Sequence, residues 1–248
     1  MKLKLSRQKN TEKFHHLDKV FTISSFFNSV FYATIDDNHV IKLPVSLSEK
    51  FLGLFRITRR LFRLDMCNVF LSNGNLIILR NGIVYNYDID KKKISKTLEL
   101  KQCRNILHQS MCQTKEGHLY FGEYGMNPKR DEVNVYRSKD SGKTWHIIYT
   151  FPKGKIRHIH GCYYDKFTNK IWTLTGDFKG ENLIQFSDLE FNKIETFGDG
   201  SQSYRAVSLF FTEKEVHWMM DSPLEKSYQF FLNRDTKEVN KLDYFNGP

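Results

Sequence analysis

A block of four short, alternating apolar runs recurs along this chain at a period of about fifty residues, and that repeat constrains the fold more than anything else in it. The fullest copy has runs at 104–108, 119–123, 133–137 and 145–151. The next starts at Arg157 and continues through 171–174, 183–186 and 193–197; a third starts at Arg205 and continues through 216–219, 228–232 and 239–244. Arg104, Arg157 and Arg205 stand 53 and 48 residues apart, and Asp140, Asp188 and Asp235 stand 48 and 47 apart. A weaker copy precedes them at 67–100, and a degenerate one at 20–60 has its best strand at 30–34. One small four-stranded sheet cannot bury both of its faces, so such units stack as blades. The expectation is an all-β chain, a β-propeller of four-stranded blades with about five blades visible, either closed by the N-terminal segment or lacking blades of a six- or seven-bladed ring. Residues 1–19 read as a basic polar tail and 20–248 as a single domain.

The sharpest local signal within the repeat is Ser138-Lys-Asp-Ser-Gly-Lys-Thr-Trp145. It joins two strand-like runs through a short Asp/Ser/Gly turn, as a β-hairpin does. Asp140 can accept from the turn's own amides, Gly142 can take a positive φ, and Trp145 opens the next strand with a large apolar plate. Ser138 and Thr144 complete the set. The turn is a staple for the fold and says little about chemistry.

Topology brings distant residues together. In a blade the start of the first strand and the end of the second share one face near the axis. Those positions are polar here: Arg104, His108, Arg157, His158, His160, Tyr204 and Arg205 at strand starts, and Arg80, Glu123, Tyr124, Asp177 and Asp221 at strand ends. In a strand His158 and His160 point the same way and Arg157 the other. Two imidazoles beside a carboxylate suit general acid/base work, a metal or a structural network, with the metal left unassigned. Candidate catalytic groups are therefore His158, His160, Glu123, Asp177 and Asp221. Arg104, His108, Arg157, Tyr204 and Arg205 are candidate substrate contacts, the arginines offering planar forks for a carboxylate or phosphate. Alternation turns Arg157 toward the neighbouring blade unless the strand start is irregular.

The net charge of +10 favours an acidic partner: glycan, anionic membrane or nucleic acid. No interleaved basic and aromatic strand pattern supports nucleic acid, which ranks last. Basic runs such as 56–63 read as solvated loop or strand edge. The basic N-terminus lacks the apolar core of a secretory signal, no stretch approaches the ~18 apolar residues of a membrane span, and the four scattered cysteines read as free thiols; the expected home is cytoplasmic.

The octad at 138–145 matches the Asp-box (Ser-x-Asp-x-Gly-x-Thr-Trp), and with the repeat it resembles the sialidase-like, BNR-repeat β-propeller superfamily over about 63–248. The strings 156–160, 175–177 and 221–222 are also similar to BNR-type propellers described as glycosyl hydrolase-like. The resemblance implies a carbohydrate-active propeller, a glycoside hydrolase or lyase acting on an acidic oligosaccharide or polysaccharide. The alternative is a non-catalytic propeller that binds a glycan or a protein partner. No cofactor is implied. The early Arg-Ile-Pro motif of sialidases reads Phe55-Arg-Ile-Thr58 here and Glu123-Tyr124 are adjacent, so sialidase catalytic residues are not transferred.

Overall fold

The computed structural model describes residues 13–17 and 19–244. Among the described residues, twenty strands form five four-stranded antiparallel sheets, each laid down in chain order. Sheet I holds β1 (Lys13–Leu17), β2 (Phe21–Phe26), β3 (Ser29–Thr34) and β4 (Asn38–Lys42). Two short helices follow, α1 (Leu47–Leu52) and α2 (Arg56–Leu61). Sheet II holds β5 (Asn68–Ser72), β6 (Asn75–Arg80), β7 (Ile83–Asp88) and β8 (Lys93–Glu99). In sheet III are β9 (Cys112–Gln113), β10 (Leu119–Gly122), β11 (Val133–Ser138) and β12 (His146–Phe151). Sheet IV comprises β13 (Ile159–Asp165), β14 (Lys170–Thr175), β15 (Asn182–Ser187) and β16 (Ile194–Gly200). Sheet V comprises β17 (Ala206–Phe211), β18 (Glu215–Met220), β19 (Tyr228–Asn233) and β20 (Val239–Tyr244). This all-β set of repeated meanders is propeller-like. The chain divides into two compact units, parting between Val69 and Phe70, where the sequence suggested a tail and one domain. Within the expected tail, residues 13–17 pair with β2; residues 1–12 lie outside the described residues.

The second unit's core runs between successive sheets. Ile77, Leu79 and Val84 of sheet II pack with Leu119, Phe121 and Tyr136 of sheet III, and Trp172, Leu174 and Ile184 of sheet IV pack with Val216, Trp218 and Phe230 of sheet V. First strands of neighbouring sheets adjoin: β13 touches both β9 and β17. The alternation read from sequence is this division, one side chain set per face.

The Asp-box turn cements the joint between sheets II and III. Asp140 accepts from the amides of Lys143 and Thr144 and from the Thr144 hydroxyl at 2.7–3.1 Å, while Ser138 Oγ accepts from the Gly142 amide at 2.8 Å. Gly142 sits at φ 80° and passes so close to sheet II that a Cβ there would lie 2.3 Å from Ile77 Cδ1. Asn86 donates to the Ser141 carbonyl at 2.7 Å, and Trp145 meets Phe121 edge-on at 5.0 Å. Asp188 caps its own turn by accepting from the amides of Glu190, Asn192 and Lys193. At the third turn Asn233, not Asp235, is the acceptor.

Two local expectations fail. Residues 104–108 form no strand, apart from one bridge of Asn105 to Tyr124; the first strand of sheet III is the two-residue β9. Cys103 explains the detour: its buried thiol donates to the Asn105 carbonyl at 2.9 Å and accepts from the Tyr124 amide at 3.3 Å, replacing ladder bonds. Burial pushes that thiol up to about 12, so it stays protonated. All four cysteines are free and buried. The basic run at 56–63 is neither loop nor strand edge but contains α2.

Candidate functional site: an overloaded aspartate

Asp177 lies just beyond β14, and four basic side chains meet its carboxylate. Arg157 Nη1 is 2.8 Å from Oδ2 and Arg205 Nη2 is 2.9 Å from Oδ1. The Nε2 atoms of His158 and His160 each stand 3.4 Å from one oxygen. Sheet IV supplies Arg157, both histidines and the aspartate; the approach to β17 supplies Arg205. Sheet III adds Tyr124, whose ring packs on His158 at 4.3 Å between centroids.

A bulge explains the convergence. The pairing of β13 with β14 shifts between Ile159 and Gly161, leaving His160 as the extra residue. Such an insertion re-aims its side chain. His158 and Arg157 precede the strand, so strict alternation does not govern them. This corrects the expectation that Arg157 faces away: the irregular start sends it to the same carboxylate as the histidines.

Both imidazoles are oriented from behind. His158 Nδ1 donates to the Gly125 carbonyl at 2.9 Å and His160 Nδ1 to the Ala206 carbonyl at 2.7 Å, since a carbonyl can only accept. The Nε2 atoms therefore face Asp177. His158 Nε2 is buried and, at 3.4 Å, lacks the alignment of a hydrogen bond; Arg205 Nε is buried without a partner as well.

The aspartate is held rigidly. Its amide donates to Asn182 Oδ1 at 3.1 Å, and Gln202 Nε2 donates to its carbonyl at 3.1 Å. Its own φ of 150° is a sparsely populated backbone region, the kind of strain that surrounding contacts must over-determine. Gly176 before it has φ 141°, and a Cβ there would stand 2.1 Å from Asn182 Oδ1. Burial alone would raise the Asp177 carboxyl. The contacts from His158 and His160 and the charge of Arg205 outweigh it and hold the group well below the usual carboxylate range. It is a permanent anion near neutral pH. Two guanidiniums share this one carboxylate, and Glu181 Oε2 stands close by, accepting from the Arg157 amide at 3.1 Å.

His158, His160 and Asp177 also offer three ligand atoms within 4.8 Å of one another. Imidazoles fixed through Nδ1 to carbonyls are typical of metal ligands. The arginines argue the other way: each carboxylate oxygen already accepts from a guanidinium, and a dication there would stand directly against both.

The remaining candidates are dispersed. Glu123 is buried beside the cluster but turned into sheet III, accepting from the Asn134 amide at 2.8 Å and the Tyr136 hydroxyl at 3.2 Å. Burial raises its carboxyl, opposed by those bonds. Asp221 is exposed and joins through its backbone, its amide donating to the Arg205 carbonyl at 2.8 Å. Arg104 is exposed and forks onto Asn81 Oδ1 at 2.7 and 2.9 Å, and His108 is exposed off any strand. Tyr204 is packing: its ring stacks on Trp218 at 6.0 Å and meets Phe197 edge-on. Arg104, His108 and Tyr204 are thus not brought to the cluster. Sequence reasoning did not single out Asn182 and Gln202 among the candidates. No sequence signal marks them, because they act on backbone atoms of a loop whose path is irregular.

No family model matches this chain, and no curated protein matches it. Solved structures do. Two of the extracellular domain of BT4673 from B. thetaiotaomicron, described in one case as a one component system and in the other as a hybrid two component system, align with TM-scores of 0.60 and 0.58. Identity is 11% and 12%; the alignments cover 97% and 94% of this chain but only 29% and 27% of those. The chain therefore spans under a third of the length of these structures, and the likeness is one of fold. It also corrects the cytoplasmic expectation, which rested on a missing apolar leader: the structures this chain is similar to are extracellular domains.

Proposed function

We propose that this chain is a propeller-type binding domain for a carboxylate-bearing saccharide, its ligand read by Arg157, Arg205, His158 and His160. The observation that carries this reading is a buried donor left over. Arg205 Nε lies unpartnered beside a carboxylate that four basic side chains already share. Buried unsatisfied groups are costly, and a site that retains them suits a ligand that supplies the missing acceptors. A sugar carboxylate does so in the bidentate manner guanidinium favours. The Asp-box and repeat, which resemble those of sialidase-like propellers, support the saccharide class.

Binding fits better than hydrolysis. Glycoside hydrolysis needs two carboxyls, one able to hold a proton. Asp177 is locked as an anion, Glu123 has both oxygens engaged inside sheet III, and Asp221 is exposed. One observation favours a second reading, proton abstraction beside a sugar carboxylate. Tyr124 packs on His158, and burial, together with the charge of Asp177, raises its phenol and keeps it a proton donor.

A panel of sialylated and uronic-acid oligosaccharides tests both. Retention on immobilised protein with masses unchanged is the expected result. A product pair with an unsaturated end and no added water would establish the lyase reading, and addition of water a hydrolase. Neutral oligosaccharides retained as strongly as acidic ones would sink the proposal.

A further inference from the structure

The helical pair between sheets I and II has a different character from the rest of the chain. A surface helix normally buries one apolar stripe. Neither α1 nor α2 buries a single residue. Phe51, Leu54, Ile57 and Leu61 are 65, 70, 79 and 72% exposed. Helices of six residues are far too short to persist alone in water, so local bonds must hold this pair. Ser46 and Glu49 form a capping box on α1, the Thr58 hydroxyl donates to the Leu52 carbonyl, and Arg59 Nη1 donates to the Gly53 carbonyl at 2.8 Å. Arg59 also lies over the Phe26 ring at 4.8 Å, tying α2 to sheet I. The pair is thus a built element with its apolar side chains turned outward.

Its charge indicates what would cover it. Residues 47–65 hold five basic residues and two acidic ones. Both acids are committed, Glu49 to the cap and Asp65 to Arg59 at 3.4 Å. Arg56, Arg60 and Arg63 remain interleaved with the exposed apolar side chains. A second copy of the same face would set arginine against arginine, which is repulsive. Leu, Ile and Phe side chains that enter an acyl boundary, flanked by guanidiniums at headgroup level, are the pattern of an interfacial anchor on anionic lipid.

We propose that α1 and α2 dock the chain on an anionic membrane surface, with Phe51, Leu54, Ile57 and Leu61 inserted and Arg56, Arg60 and Arg63 at the phosphates. No helix among the described residues is long and apolar enough to cross a membrane, so the contact is interfacial. This inference is independent of the saccharide site.

The test is sedimentation of the full chain with vesicles of phosphatidylcholine containing a quarter phosphatidylglycerol, set against pure phosphatidylcholine. The expected result is partition onto the anionic vesicles alone. Replacing Arg56, Arg60 and Arg63 together by Gln should weaken partition on the order of 100-fold at low salt. Replacing Phe51, Leu54, Ile57 and Leu61 by Ser should abolish it, with the melting temperature unchanged in both because none of these side chains is buried. Equal binding to neutral vesicles, or wild-type binding by the Gln variant, would overturn the proposal. So would the absence of vesicle binding, and concentration-dependent self-association in that case would assign the face to a protein contact.

Discussion

Asp165 and Asp177 stand at opposite ends of the β13–β14 hairpin, and both reach an arginine from the sheet V region. Asp165 is fully buried, at 0% exposure, and meets Arg234 Nη1 at 2.6 Å, the Thr168 hydroxyl at 2.6 Å and the Phe167 amide at 3.1 Å. One anion faces one cation, and local donors fill the other lone pairs, although Arg234 Nη2 is itself buried without a partner. Asp177 faces two guanidiniums and two imidazoles and sits on strained backbone. The first is a lock between sheets. The second is one carboxylate shared by four basic side chains, which a lock does not require. That crowding, more than the presence of polar residues at strand ends, marks the site.

The largest expected effect falls on the lock. Asp165→Ala strands Arg234 in a buried position and should cost about 3–5 kcal/mol in urea unfolding, whereas replacing both partners by apolar residues should recover most of it. Asp177→Ala should cost less, about 1–3 kcal/mol, because the cluster is partly open and its cations regain some water. Formate or acetate in the millimolar range should restore part of the Asp177→Ala loss and none of the Asp165→Ala loss. Equal rescue of both variants would erase the distinction drawn between them.

The pH dependence of stability sharpens it further. Asp177 has its folded pKa depressed, so its contribution is present above the unfolded carboxyl value and is lost as pH falls below about 4. Asp177→Asn should flatten that acid limb. Glu123 has the opposite sign. Its folded pKa is raised, so its contribution is full below about 4.3 and is lost as pH rises through the folded value. Glu123→Gln should therefore reduce the loss of stability on going from mildly acidic to neutral pH. The smallest effect belongs to Arg104→Ala, which removes an exposed fork onto Asn81 and should leave saccharide affinity unchanged within about twofold.

Much of this was legible in the sequence, and the pattern of failure has a physical cause. Period-2 alternation and the Asp-box turn depend on residues near one another in sequence, and the strands of sheets IV and V and the last three of sheet III follow them closely. Topology put His158, His160, Asp177 and Arg205 in one set of polar strand ends, but the same set held Arg104 and Tyr204, which the structure places elsewhere. Residues 104–108 misled because their apolar run mimics a strand while Cys103 takes over the hydrogen bonds of the detour. Arg157 misled because the bulge at His160 and the irregular approach to β13 break alternation. The helical pair was missed because its apolar residues do not face a core, and no periodicity announces an outward face.

Calorimetric titration of the wild type and of Arg205→Ala and Arg205→Lys with an acidic oligosaccharide retained in the panel tests the central claim most directly. The account predicts an affinity that falls as salt rises, at least a tenfold loss in Arg205→Ala, and only partial recovery in Arg205→Lys, which keeps the charge but not the fork. Undiminished binding by a folded Arg205→Ala protein would place the ligand elsewhere and reduce the Asp177 cluster to a second lock.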